Sequence, residues 1–487
     1  MTTSATTNLT NPAPSPRSDI PLLTIFRLGL FNMGLGLMSV LTLAVLNRVM
    51  INELFIPATL TAGTAAIQYL ISPARVWFGQ LSDNRPLGGL HRTNYVRIGV
   101  ICAGICVFLA VQVAWQLGMV TPGETWIWNG SSIFWSILLA VVFIAYGFAI
   151  SASSIPFTAL LVDVSDEKGR SRIVAIVWSM LLMGIIIGGI SGKIWGTVVL
   201  GEDSGGLTDI ADLYAPLTML FIIVPIVFVG LANIATLGVE RRYSRFTSRF
   251  KRGQQMSQRE DSITLRDTLR LLGSNPQVGI FFSFLFVLTV GLFLQEAVLE
   301  PYGGEIFKMS IGDTTALNTF WGIGVLVGYS LTGFWVIPRL GNQNAARWGC
   351  GLVALCFGLI ILSGFTQNPS LLKGAVVLFG LAAGVATISS IGLMLDLTTA
   401  ENAGTFIGAW GLSQAIARGV GIFSGGVILD VGKWLFNVPL LAYSAVFTLQ
   451  ALCMVGAIAI LTNVNVTAFR SNSRRTLATV MEAELDG

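Results

Sequence analysis

The side chains of this sequence that can do chemistry are the few ionisable and amide groups set in or beside long apolar runs. Three carboxylates, Glu296, Glu300 and Glu305, share the segment QEAVLEPYGGEIFKMS (Gln295–Ser310), which follows the apolar run 278–294. Glu296 and Glu300 stand four residues apart. On one helix face two buried carboxylates cannot both ionise cheaply, which suits a proton-coupled carrier; on a surface loop the same pair is merely solvated. Arg418 lies about sixteen residues into another apolar run, with Gln414 one turn before it. A charge at that depth is costly and needs a partner, either a carboxylate such as Glu296 or a carbonyl of a ligand. Arg48 and Glu53, at the end of the first apolar run, can pair with each other. They fall at the same end of the expected bundle as Glu300 and Glu305. A polar lock is therefore expected there, with Tyr302 at the membrane interface.

The remaining inventory excludes other chemistry. The one histidine, His91, rules out a multi-histidine metal site within the chain and a Ser-His-Asp set. The sequence contains no phosphate-binding Walker loop. No enzyme is expected. The cysteines, Cys102, Cys106, Cys350, Cys356 and Cys453, all lie in apolar runs and read as packing residues, although Cys102 and Cys106 share a helix face.

The elements that must position these groups are membrane helices. The chain of 487 residues is 53% hydrophobic and only 11% charged, with a mean hydropathy of +0.74. No water-soluble core absorbs so much apolar sequence. A spanning helix needs about 20 apolar residues. Twelve runs qualify: 28–50, 57–81, 94–117, 133–162, 172–199, 213–239, 276–299, 313–337, 344–366, 370–396, 403–429 and 438–462. The expected layout is a disordered tail over 1–27, six helices over 28–239, a basic linker over 240–275, six helices over 276–463 and a second tail over 464–487. The linker carries nine of the 29 Lys and Arg residues. With both termini in the cytoplasm, 22 basic residues fall on the cytoplasmic side and only Lys308, Lys373 and Lys433 on the other. That asymmetry sets the expected orientation. The linker reads as an anchor over anionic membrane lipid and not as a nucleic-acid site. No removable signal peptide is expected.

The two halves repeat. LLVDVSDEKGRSRIVAIVWSMLLMGIIIGGISG, from Leu160, aligns with LMLDLTTAENAGTFIGAWGLSQAIARGVGIFSGG, from Leu393, placing Asp163 on Asp396. Each repeat carries a small residue at every fourth position: Gly184, Gly188, Gly192 and Gly196 in one, Ser413, Ala417, Gly421 and Gly425 in the other. Such stripes allow close helix packing. AVLNRVMINELF, from Ala44, likewise parallels AVLEPYGGEIF, from Ala297. The loop GQLSDNRPLGGLHR (Gly79–Arg92) resembles the signature of the major facilitator superfamily. Gly79 and Asp83 hold the expected spacing, while Arg85 and Arg92 are displaced. The matching loop of the second half, GFWVIPRLGNQNAAR, lacks the acid. The fold class is thus an all-α integral membrane protein, a major-facilitator-like bundle of 12 transmembrane helices in two pseudo-symmetric six-helix halves.

LNRVMINELFIPA (Leu46–Ala58), SPARVWFGQLSD (Ser72–Asp83) and LEPYGGEIFKMS (Leu299–Ser310) resemble a narrower group, the PucC/LhaA family. HRTNYV, from His91, is similar to cyanobacterial members. The resemblance implies a membrane protein that binds or delivers (bacterio)chlorophyll while light-harvesting or photosystem complexes assemble. Its implied cargo is chlorophyll a or bacteriochlorophyll. Its implied partners are chlorophyll-binding antenna or photosystem subunits in a thylakoid or bacterial inner membrane, in an oligomeric state the sequence leaves open. The Mg²⁺ of such a pigment prefers oxygen or imidazole donors. His91 lies in a cytoplasmic loop, so the candidate donors within or bordering the membrane are Gln68, Gln112, Gln295, Gln414, Asn32, Asn47, Glu296 and Glu300. For each, an interhelical hydrogen bond is the plainer role. Gln295, Glu296, Glu300, Gln414 and Arg418 are the pigment-site candidates. The resembled fold also implies ion pairs that gate the cytoplasmic side, among Arg75, Asp83, Arg85, Arg92, Asp163, Arg170 or Arg172, and Asp396. Helix-end anchoring is the alternative for these groups. A proton-coupled transporter of a small solute, working by alternating access, is the second functional reading.

Overall fold

The computed structural model describes residues 20–71, 73–120, 126–165, 167–201, 210–244, 276–396 and 403–464. The first half contains α1 (Leu22–Glu53), α2 (Ala58–Leu70), α3 (Pro73–Asn84), α4 (Thr93–Val120), α5 (Gly130–Val164), α6 (Glu167–Val198), α7 (Ile210–Thr236) and the short α8 (Val239–Tyr243). The second contains α9 (Pro276–Phe293), α10 (Leu299–Phe307), α11 (Ile311–Leu331), α12 (Ile337–Phe365), α13 (Pro369–Asp396), α14 (Ala403–Leu435) and α15 (Pro439–Thr462). Two stretches of α1, Val40–Val45 and Val49–Glu53, are π-helical.

Among the described residues nine helices are long and apolar enough to cross a membrane, against the twelve expected. The difference has three physical sources. Pro73 lacks an amide hydrogen and crowds the preceding turn, so the run 57–81 becomes the two shorter helices α2 and α3. The run 276–299 stops at Phe293, leaving a shorter apolar helix, Gln277–Phe293. The runs 313–337 and 344–366 are joined through a π-helical turn, Thr332–Val336, and a bend at Gly341, whose φ of 72° only glycine adopts freely; together they form one helical stretch, Ile311–Phe365.

Two boundaries also move. α1 begins at Leu22, inside the expected tail, because residues 22–26 are mostly apolar and Arg27 donates to the Leu237 carbonyl at 3.0 Å. The expected linker begins as helix α8, and its Glu240 is 1% exposed. The rest of the tails and linker, 1–19, 245–275 and 465–487, lies outside the described residues.

Each half has its own apolar core. In the first, Phe31 stacks on Phe157 at 4.1 Å and leans on Phe228 at 5.8 Å. In the second, Tyr302, Phe357, Phe379 and Phe447 cluster between α10, α12, α13 and α15. The halves meet along two seams, α6 against α11 and α2 against α14. Thr319 of α11 donates to the Ile186 carbonyl of α6 at 3.0 Å. Asp430 of α14 accepts the amides of Ala58 (3.0 Å) and Thr59 (2.7 Å), closing the N-terminus of α2 from the opposite half. The stripes mostly serve packing within each half, Gly184 and Gly188 against α1 and Gly421 and Gly425 against Val290 and Leu294, while Gly189, Gly192 and Gly426 give the close approach between halves. Gly192 faces Thr315 of α11, and Gly426, beside the stripe residue Gly425, faces the Ala58 backbone and Ala62 of α2.

A side chain at Gly426 must displace α2. Gly426→Leu is expected to cost about 1–3 kcal/mol by overpacking, read as a lowered thermal midpoint in detergent. Gly230→Leu, where nothing lies within 4 Å, is expected to leave the midpoint in place.

Candidate binding site

Arg418 sits on α14 between two aromatic rings. Its guanidinium carbon is 4.5 Å from the Tyr69 ring centroid of α2 and 4.3 Å from that of Phe293, the last residue of α9. Its Nε donates to Glu296 Oε2 at 2.9 Å and its Nη2 to Glu296 Oε1. The pair is bidentate, the geometry that suits a planar guanidinium in a poorly hydrated place. It depends on the early stop of α9. Residues 294–298 form a turn, so Glu296 and Glu300 do not share a helix face, contrary to the sequence expectation. Pro301 lies in the first turn of α10, where its missing amide hydrogen breaks no helical bond.

Glu300 is 5% exposed. Its Oε1 accepts from Asn318 Nδ2 at 2.8 Å, and its buried Oε2 has no hydrogen-bond partner. The buried Trp321 Nε1 is also unpartnered. Gln295, Glu296, Glu300, Asn318, Trp321 and Arg418 line one small cavity of about 70 Å³, closed on the first-half side by Ser39, Leu43 and Ile185. It offers an unused acceptor, an unused donor and a paired charge, in a volume that takes a few waters. Gln414 is half-buried on α14 and is not among the residues lining this cavity.

The end of the bundle away from the linker carries a second polar network. Arg48 is 6% exposed; its Nη1 donates to Glu53 Oε1 at 2.9 Å and its Nη2 to the Met309 carbonyl at 3.4 Å. The guanidinium lies against Gly304, leaving no space for a Cβ there. Asn52 donates to the Pro301 carbonyl at 3.0 Å. The expected lock differs in detail. Glu300 turns to Asn318 rather than to Arg48, and Glu305 accepts from Lys433 Nζ (2.6 Å) and Tyr443 (2.7 Å). Tyr302 is wholly buried and not interfacial; its hydroxyl donates to the Ile360 carbonyl at 2.9 Å.

At the linker end, Arg92 is 1% exposed. Its Nε donates to Asp163 Oδ2 at 3.0 Å, its Nη1 to Ser82 Oγ at 2.6 Å, and its Nη2 to Asp83. Glu240 accepts the amides of His91 (2.6 Å), Arg92 (3.2 Å) and Thr93 (2.7 Å), capping α4. This cage lies within the first half. Arg75 stays outside it, its buried Nε without a hydrogen-bond partner. Arg85 is exposed and contributes only its carbonyl, to the Tyr95 hydroxyl at 2.9 Å. Asp396 accepts from Asn342 at 2.7 Å within the second half. The side chain of Arg170 lies outside the described residues.

Of the other candidate donors, Asn32 and Gln68 bond to backbone carbonyls, and Gln112 accepts from Tyr214 at 2.6 Å. Asn47 is 2% exposed, and neither side-chain atom has a hydrogen-bond partner. Sequence reasoning missed Tyr69, Asn318, Trp321, Glu240 and Asp430. Only Asp430, an acid directly after an apolar run, carried a signal.

Two helical halves, joined at α6–α11 and α2–α14 around a part-buried ion pair, define an integral membrane protein of the major-facilitator type. Solved structures share the fold. The nucleoside transporter NupG, as a mutant, aligns with a TM-score of 0.65 at 15% identity, over 91% of this chain and 99% of that one. A bacterial homologue of the iron transporter ferroportin, in an inward-facing state, aligns at 0.62 and 13%, over 90% and 100%. The chain belongs to the PUCC protein family, whose model matches residues 45–469. It is 29% identical to the bacteriochlorophyll synthase 44.5 kDa chain of Rhodobacter capsulatus over 95% of this chain and 99% of that protein. It is 26% identical to protein PucC of the same organism, over 83% and 84%.

Two outcomes are expected. Glu296→Gln lowers unfolding stability by about 1.5–3 kcal/mol, the usual loss for a hydrogen-bonded charge. Combined with Arg418→Gln it costs less than the sum of the single changes, as a double-mutant cycle in detergent will read. Glu240→Ala strips the cap from α4 and costs about 0.5–2 kcal/mol, while Glu240→Gln retains most of it by thermal unfolding.

Proposed function

We propose that this protein binds (bacterio)chlorophyll in a photosynthetic membrane, with both termini cytoplasmic, and hands it to antenna or photosystem subunits as their complexes assemble. It is read as a carrier without catalysis. Membership of the PUCC protein family over residues 45–469 is the observation that carries this reading. The cavity chemistry supports it. Glu300 Oε2 and the Gln295 amide are oxygen donors suited to a hard cation such as Mg²⁺. Trp321 Nε1 and Arg418 are donors suited to ring carbonyls.

The fit is one of chemistry and not yet of size. A cavity of about 70 Å³ holds no macrocycle, since pockets for drug-sized ligands run to about 300–1,000 Å³. Pigment binding at this cluster therefore requires the halves to separate. We read that separation as occurring at the linker end, because Arg48, Asn52 and Asp430 bond across the halves at the far end. A second reading, proton-coupled transport of a small solute, is supported by the transporter fold and by the buried Glu300.

The test is an absorption spectrum of protein purified in mild detergent from its own membrane, with solvent extraction of pigment. Stoichiometric chlorophyll is expected, falling several-fold in Glu300→Leu. A folded, pigment-free protein that takes up solute with protons in vesicles would overturn the carrier reading.

A further inference from the structure

A groove of about 330 Å³ runs along the α6–α11 seam, lined by residues other than those of the central cavity. Its walls are Ile190, Ile194, Thr197 and Val198 of α6 with Ala316 and Phe320 of α11. Ile190, Ile194 and Val198 are 46%, 58% and 74% exposed, so the groove opens sideways, toward where lipid chains lie. One charged group lines it, Lys193, whose side chain is 54% exposed.

Lys193 Nζ is 3.3 Å from Asp313 Oδ1, and Lys373 Nζ is 4.0 Å from the same oxygen. Among the described residues two ammonium groups therefore share one carboxylate, an excess of one positive charge beside an apolar trough. An ammonium at the edge of a membrane seeks an anion. The three groups come from α6, α11 and α13, so both halves contribute. The geometry points to a binding site for an anionic phospholipid, with its headgroup phosphate on Lys193 and Lys373 and an acyl chain in the groove. The bound lipid bridges the two halves at the end where they are joined. This site is independent of the pigment reading.

The full chain in detergent is titrated with dioleoyl-phosphatidylglycerol and with dioleoyl-phosphatidylcholine. Binding is read by native mass spectrometry and by the thermal midpoint. At least a tenfold preference for the anionic lipid is expected, falling below twofold in Lys193→Gln/Lys373→Gln. Asp313→Asn removes the competing carboxylate and is expected to strengthen the preference, so a failure of the double variant to fold leaves a working test. Equal binding of the two lipids by the wild type overturns the proposal, as does a preference that survives loss of both lysines or weakens in Asp313→Asn.

Discussion

The part-buried charge of Arg418 governs the middle of this protein. An arginine deep in an apolar bundle is tolerable only when a carboxylate faces it and its flat surfaces are covered. Glu296 supplies the carboxylate, and Tyr69 and Phe293 supply the two faces. Delivering Glu296 requires α9 to stop at Phe293. That break produces the turn, the short α10 and the inward placement of Glu300. Tyr69 comes from the other half, so the pair also ties α2 to α14.

Around that centre, the polar groups at the two ends do different work. At the linker end, Arg92, Asp83, Asp163 and Glu240 knit the first half to itself, and Asn342 with Asp396 does so in the second. At the far end, Arg48, Asn52 and Asp430 reach across the divide. Among the described residues, the cross-half bonds of Arg48, Asn52 and Asp430 lie at the end opposite the cage that holds α3, α4, α5 and α8 together.

Much of this was legible in the order of residues. Apolar runs showed most of the helices, since nothing else accommodates such composition, and the offset repeat showed two halves. Arg418 announced its need for a partner, and Glu296 was one of those considered. The turn at 294–298 was not legible: Phe293, Leu294 and Ala297 read as more helix, and the stop becomes necessary only once Arg418 is known to lie opposite. Tyr69 and Asn318 look like ordinary helix residues, because their roles arise from a partner more than 15 positions away. Glu240 was hidden by the basic run it precedes, and its acceptors' partners lie near residue 92. Tyr302 was misplaced because a tyrosine near a helix end usually marks an interface, whereas its hydroxyl here satisfies a buried carbonyl.

The bond from Asp430 to Ala58 spans 372 residues of chain. At ribosomal rates of about 5–20 residues per second, roughly 20–75 s separate the synthesis of its two ends. Throughout that interval the first amides of α2 have no carboxylate to receive them, and they depend on water or lipid headgroups. The first half must therefore wait in the membrane with one helix start unfinished. Its completion by Asp430 makes the order of synthesis, and any truncation before α14, part of how this protein reaches its final form.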